Sequence, residues 1–298
     1  MKRKHVLLIA LVVLVLTLVP VLSACGDEEE TTTTAAATET TAAGTETTAA
    51  GDDAAAIADA AIAAVTKSDA IETPKTITAG KLQAGSDTVF APMEFSDEKG
   101  GYIGFDVDLC TALAKKMGLE LEVVSTAWDG LISGLLGDRW DIIMSGMSIT
   151  EERLKEINFT DPYLPTNLAI TTRVDAPIAD AQGLVGKIVG VQVNTTGQFA
   201  VEEIAGVKEI KKYDDSLLAI QELLAGRVDA VVNDSPVNSY YIAGKPEFAN
   251  TGKIGTDDNY GFGIKKENTD LLAAMNAALG ELKADGVYDK IHAKWFGE

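Results

Sequence analysis

Cysteine and histidine are scarce in this chain of 298 residues, which holds two of each. Two cysteines make neither a disulfide framework nor a four-thiolate zinc site. The histidines are His5, near the N-terminus, and His292. That pair disfavours a Ser-His-Asp hydrolase and a multi-histidine metal enzyme, so no metal and no cofactor is expected. Basic residues are also few, 25 Lys and Arg against 45 Asp and Glu, for a net charge of −20. Nucleic-acid binding needs a basic footprint, and docking on anionic lipid needs one too. Long hydrophobic runs are missing apart from residues 6–19, a run of 14. A bilayer span takes roughly 20. What is present is a hydrophobic fraction of 46%, enough for a sizeable core, in a length that suits one large or two ordinary domains.

Residues 1–24 read as an export signal. Lys2, Arg3 and Lys4 form a positive start, and the apolar run follows. It ends at Leu22-Ser23-Ala24-Cys25, which resembles a bacterial lipoprotein signal; that resemblance implies cleavage before Cys25 and lipidation of its thiol. Cleavage would leave 22 basic and 45 acidic residues, a net charge of −23. Residues 25–75 are rich in Thr, Ala and Glu, and residues 26–74 carry no aromatic side chain. Such a stretch buries too little apolar surface to offset its chain entropy and reads as a flexible tether. Within it, residues 54–65 have helix propensity but a thin apolar face, so a frayed helix is expected there.

Beyond the tether, strand and helix patterns alternate. Residues 76–79 start a strand. Phe105, Leu109, Ala112, Leu113 and Met117 fall at helical spacing, with Gly118 as a stop. Residues 119–123 alternate as a strand, Leu131, Ile132, Leu135 and Leu136 make a second helical face, and residues 141–144 form a buried strand. This βαβαβ order implies a parallel sheet. It starts again with strands at 187–193, 208–213 and 229–232, and helices at 198–204 and 216–225. Pro236 opens another helix, and 270–284 and 287–296 close the chain. An echo links the halves: Leu135-Leu136-Gly137-Asp138-Arg139-Trp140-Asp141-Ile142 aligns without gaps to Leu223-Leu224-Ala225-Gly226-Arg227-Val228-Asp229-Ala230. The predicted class is therefore α/β with two lobes and a cleft at the carboxyl ends of the strands.

That cleft directs attention to particular turns. Ser145, Gly146 and Ser148 follow a buried strand, and Arg153 offers a fork for a carboxylate near free helix N–H groups. Gln192, Thr195 and Thr196 occupy a second strand-to-helix turn, and Asp234 a third. Each turn also reads as an ordinary helix cap with no ligand. Asp87 and Phe90 share a loop, and Trp128 precedes a helix; aromatic walls with carboxylates suit a cation on an apolar stem. Trp128 alone reads equally as core.

Gly104-Phe105-Asp106-Val107-Asp108-Leu109, followed by Leu113-Ala114, resembles the signature of solute-binding protein family 3, the extracytoplasmic receptors of polar amino-acid ABC importers. Trp128-Asp129-Gly130, Phe159-Thr160-Asp161-Pro162-Tyr163 and Lys294-Trp295-Phe296-Gly297 fit the same family in order. The resemblance implies a type II periplasmic-binding-protein fold: two α/β lobes, 76–170 with 260–298 and 171–259, joined by two crossing strands and closing on an amino acid. It also implies roles. Arg153 grips the α-carboxylate with Ser148 and Thr196; Asp234 takes the α-ammonium with Ser145 or Gly146; Asp87, Phe90, Trp128 and Gln192 line the side-chain pocket, beside Thr195. Asn194 departs from the pattern, standing where many members have Gly, and Met93 replaces a frequent Phe. Cys110 reads as a small buried hydrophobe.

The expected function is a receptor, not an enzyme: a monomer anchored by lipid on Cys25, on the periplasmic or outer face of the cell membrane. It would pass a free amino acid to the permease subunits of an ABC importer. Some dehydratases share the fold, but no proton donor beyond the ligand grips stands out. A sensor would have to signal through a partner. Arginine or lysine is the expected ligand, on the strength of Asp87 beside Phe90 and Trp128; glutamine is the alternative, since a carboxylate also accepts from an amide.

Overall fold

The computed structural model describes residues 46–297. The expected signal peptide, Cys25 and the first part of the expected tether lie outside the described residues.

Helix α1, Glu46–Ala64, departs from the expected frayed segment. Its stripe is thin, yet it finds a partner: Ala58 and Ile62 are buried, as is Ile71 just beyond, and α1 lies along the C-terminal helix. A fully buried Ile contributes roughly 1.5–3 kcal/mol. Polar contacts fix the alignment. Lys294 pairs with Asp59 at 2.6 Å, Lys115 Nζ donates to the Ile62 carbonyl at 2.9 Å, and Ser68 Oγ donates to Glu281 Oε1 at 2.7 Å. Residues 46–75 are thus part of the first lobe. Propensity alone could not reveal this, because the packing partner lies more than 200 residues away.

The first lobe is built on β1, Lys81–Ser86, which begins after a turn closed by Lys81 N–H on the Thr78 carbonyl rather than at residue 76. A small ribbon follows: β2, Val89–Phe90; β3, Glu94–Ser96; and β4, Tyr102–Ile103. Helix α2, Phe105–Met117, buries Phe105, Leu109, Leu113 and Met117 at helical spacing and ends on Gly118 in the left-handed region. Then come β5, Glu120–Ser125; α3, Leu131–Leu136; β6, Ile142–Ile143; the short α4, Glu151–Leu154; and β7, Asn158–Phe159.

The chain crosses on β8, Leu164–Arg173, into the second lobe. There β9, Ile188–Gln192; α5, Thr196–Glu202; β10, Glu209–Tyr213; α6, Ser216–Leu224; β11, Ala230–Asp234; and α7, Ser235–Ile242 repeat the alternation. It returns on β12, Phe248–Tyr260, antiparallel to β8. β13, Gly263–Ile264; α8, Thr269–Ala284; and α9, Val287–Phe296 complete the first lobe.

The two sheets share one design. The first has the order β5-β1-β6-β13-β7 and the second β10-β9-β11-β8-β12. In each, a central strand is flanked by two parallel neighbours, and an antiparallel strand follows. The sequence echo falls at equivalent places, between α3 and β6 and between α6 and β11. Asp138 and Gly226, aligned in the echo, both take positive φ, 56° and 69°. Asp141 and Asp229, also aligned, both cap the central strand: Asp141 Oδ2 accepts from Gln83 N at 2.9 Å and Asp229 Oδ2 from Ile188 N at 2.7 Å. The repeat is therefore a helix-turn-strand unit whose aspartate anchors the neighbouring strand, not a chance match of turn residues.

Candidate ligand cleft

The strands β1, β6, β9 and β11 all run toward the junction of the lobes, and the loops after them meet there. After β6, Gly146 takes φ +48°, and a Cβ would meet the Phe90 ring at 2.7 Å, so only glycine lets that ring lie on the loop. Ser148 is bridged to Tyr260 of β12, and Ile149 N–H donates to the Asn259 carbonyl. The loop is thus held by a crossing strand. Thr150 caps α4 by accepting from Arg153 N–H at 3.2 Å. The Arg153 guanidinium turns back, donating from Nη1 to the Ser148 carbonyl at 2.8 Å, with its Cζ 5.2 Å from the Trp128 ring centroid. It is not a solvated helix-surface arginine. Burial draws its pKa down, while Asp234 and Asp258 oppose that shift.

On the facing lobe, Asn194 accepts φ 55°, the left-handed conformation for which glycine is commoner, so the departure at this position leaves the turn intact. Its carbonyl accepts from Trp128 Nε1 at 3.0 Å across the cleft. Thr195 caps α5: Oγ1 accepts from Gln198 N–H and donates to the Gln192 carbonyl. Thr196 and its N–H start the helix beyond it. Gly197 is required because a Cβ would stand 2.8 Å from the Val232 carbonyl.

Asp234 stands at the end of β11 as the residue before α7, yet its side chain makes no capping bond. The carboxyl faces the cleft instead. Burial pushes its pKa up to about 7, with Asp258 adding to the rise and Arg153 opposing it.

Phe90, Trp128, Gly146, Ser148, Arg153, Gln192, Thr195, Thr196 and Asp234 therefore converge on one narrow, nearly closed space of about 10 Å³ between the lobes. Two sequence-selected residues are not in its wall. Asp87 sits behind Gln192, whose Nε2 donates to Asp87 Oδ2 at 2.9 Å. Burial pushes the Asp87 pKa up to about 6, opposed by that hydrogen bond. Ser145 is spent on structure: Oγ accepts from Asp87 N–H at 3.0 Å and donates to Glu94 Oε1 at 2.8 Å. Its distance from the ligand space follows from those two bonds, which turn the hydroxyl into the lobe. One lining residue, Asn233, was not singled out by the sequence reading. It is 4% exposed and its Nδ2 has no hydrogen-bond partner among the described residues. Its place at a strand end beside Asp234 was the available signal. A larger groove of about 550 Å³ on the outer face of the first lobe, lined by Tyr102, Val107, Thr111 and Lys115, is open to solvent and gathers no comparable set of converging polar groups.

Residues 82–298 match the family described as bacterial extracellular solute-binding proteins, family 3. The chain belongs to that family. A relative from Escherichia coli K12, the lysine/arginine/ornithine-binding periplasmic protein, is 34% identical over 226 residues, 72% of this chain and 87% of the relative. A solved mutant of ArgBP from T. maritima is 42% identical, with a TM-score of 0.70 over 74% of this chain and 96% of that one. An ancestral arginine-binding protein, solved with arginine and with glutamine, is 40% identical in both structures, with a TM-score of 0.70. Those two structures cover 73–74% of this chain and 99–100% of their own. The Gly104–Leu109 stretch does two structural jobs. Asp108 Oδ2 accepts from Trp295 Nε1 at 2.7 Å and pairs with Lys294 at 2.8 Å, docking α9 on α2. Asp106 turns inward under the cleft, where Gly146 N–H and the Tyr163 hydroxyl both donate to its Oδ2, at 3.0 and 2.7 Å.

Proposed function

We propose that this chain is a lipid-anchored receptor that binds a basic amino acid, arginine or lysine, between its lobes and presents it to the permease of an ABC importer. The observation that carries the ligand class is the arrangement of charge along the cleft. Arg153 and Asp234 oppose each other as partners for an α-carboxylate and an α-ammonium. Phe90 and Trp128 wall the space beside them, and the Asp87–Gln192 pair closes its end without a cation. A guanidinium or ammonium there gains a counter-charge and aromatic faces. Ser148 and Thr196 support the carboxylate, and Gly146 the ammonium. Relatives named for arginine, lysine and ornithine agree with this reading.

One observation favours glutamine as a second reading. Asp87 already accepts a hydrogen bond from a side-chain amide, that of Gln192. Thermal unfolding of the purified chain with arginine, lysine, histidine, glutamine and glutamate separates the two. A ligand at 100 times its dissociation constant adds about 2.7 kcal/mol of stability. Arginine and lysine are expected to shift the transition, and Asp87→Asn to reduce their affinity by roughly tenfold, since it removes the counter-charge behind Gln192. A shift with glutamine alone replaces the basic ligand by glutamine. Full arginine affinity in Asp87→Asn removes the role of that carboxylate.

The anchor is tested separately. Cys25→Ala is expected to move the protein from the membrane fraction to the soluble one. Retention on the membrane would place the attachment elsewhere.

A further inference from the structure

Two carboxyls that the ligand reading does not use lie directly beneath the cleft. Glu94 and Asp106 are fully buried, 0% exposed. They are brought together by the backbone: Phe105 N–H donates to the Pro92 carbonyl and Asp106 N–H to the Met93 carbonyl, pinning the start of α2 to the turn before β3. Gly104 permits this approach, because a Cβ there would stand 2.0 Å from the Met93 carbonyl oxygen. One oxygen of each carboxyl is satisfied. Glu94 Oε1 accepts from Ser145, and Asp106 Oδ2 from Gly146 N–H and Tyr163. The other two, Glu94 Oε2 and Asp106 Oδ1, are buried with no hydrogen-bond partner among the described residues.

We propose that Glu94 and Asp106 share one proton between those two oxygens, and that this neutralised pair is a positioning device that sets Ser145, Gly146 and Asp87 for the ligand. A single O–H between the carboxyls satisfies both orphaned oxygens at once. The surroundings require it. The titratable groups bearing on the pair are Asp87 from the loop after β1, Cys110 one turn along α2, Tyr163 before β8, Tyr241 of α7, Tyr260 of β12 and Tyr288 of α9. All are neutral or acidic. Two buried carboxylates without a cation cannot both ionise. Burial pushes Glu94 well above its ordinary value, with Asp106 adding to the rise, and burial pushes Asp106 up to about 7. The pair holds three pieces of the cleft: Ser145 and through it the Asp87 N–H, Gly146 under the Phe90 ring, and Tyr163 at the entrance to β8. Glu94 and Asp106 touch no ligand in this arrangement; they act through the loops.

The inference rests on the amino-acid reading of the cleft, and its test separates the two. Infrared spectroscopy of the ligand-free chain at about pH 9, roughly two units above the Asp234 midpoint of about 7, so that Asp87 and Asp234 are ionised, is expected to show the carbonyl stretch of a protonated carboxyl. Glu94→Gln is expected to remove that band. This measurement needs no ligand and stands even if no amino acid binds. With arginine as the probe, Glu94→Ala is expected to weaken binding by roughly tenfold or more, since it strands Ser145 and Asp106. Glu94→Gln, whose amide occupies the place of the neutral carboxyl, is expected to restore affinity. A parent without the band, a band that persists in Glu94→Gln, or a Glu94→Gln variant that binds as weakly as Glu94→Ala overturns the proposal. Should Glu94→Ala fail to fold, the parent spectrum and the Gln variant still decide it.

Discussion

Arg153→Met and Asp234→Asn are each expected to weaken amino-acid binding by about 30- to 5,000-fold, the roughly 2–5 kcal/mol lost when one partner of a buried charged hydrogen bond is removed. The expectation follows from what these side chains do without ligand. Arg153 is oriented by the Ser148 carbonyl and lies against Trp128, so its fork is held ready rather than ordered on binding. Asp234 makes no capping bond to α7, so its removal takes nothing from that helix. The stability of the empty protein therefore moves the other way from its affinity. Burial raises the Asp234 pKa from its ordinary 3.8 to about 7, so the folded state binds this proton more tightly than the unfolded chain. Ionisation of Asp234 thus costs stability increasingly as pH rises from about 4 through 7, and is fully felt above that. Asp234→Asn should raise the unfolding midpoint of the ligand-free chain at about pH 8 while binding collapses. Isothermal calorimetry and thermal unfolding on the same sample read both. Near-parental affinity in either folded variant would remove the assignment of these residues as the amino-acid grip.

The lobes were legible because their elements are local. The helical spacing from Phe105 to Met117 and the run around Ile142 needed no distant information. The echo between residues 135–142 and 223–230 was visible too, but its meaning was not: that Asp141 and Asp229 anchor neighbouring strands is a contact across more than 40 residues. The same limit explains α1. Its sequence is alanine-rich and weakly amphipathic, and its order comes from α9, which no window around residue 60 contains. In the cleft, residue type and strand-end position identified most of the wall. They could not separate a hydroxyl that faces the ligand from one that faces the lobe, so Ser145 was grouped with Ser148. Nor could they show that Asp87 stands behind Gln192. Asp106 enters the sequence reading only as part of the Gly104–Leu109 stretch, and Glu94 not as a site residue, because the burial of both is a property of the packed loops.

Arginine affinity should fall by about 1,000-fold between pH 8 and pH 5, with binding near pH 6 releasing more than one proton. The ligand's α-ammonium binds the ionised form of Asp234, and its side-chain cation is favoured by the ionised form of Asp87 from behind Gln192. In the empty cleft those groups titrate at about 6 and about 7. Both are raised by burial, which the ligand's charges offset. At pH 5 Asp234 is about two units and Asp87 about one unit below its midpoint, and each unit is a factor of about ten. At pH 6 most Asp234 and about half of Asp87 carry a proton that must leave. Calorimetric titrations in buffers of different ionisation heat count those protons directly. The slope also reports the ligand. Glutamine needs an ionised Asp234 for its ammonium, but its neutral side-chain amide carries no charge for Asp87 to offset. Its affinity should therefore fall only about 100-fold over the same range. Asp87→Asn should reduce the arginine slope to that shallower value while leaving the glutamine slope unchanged. An arginine affinity that is flat from pH 5 to pH 8 would mean that neither carboxyl is the counter-charge assigned to it.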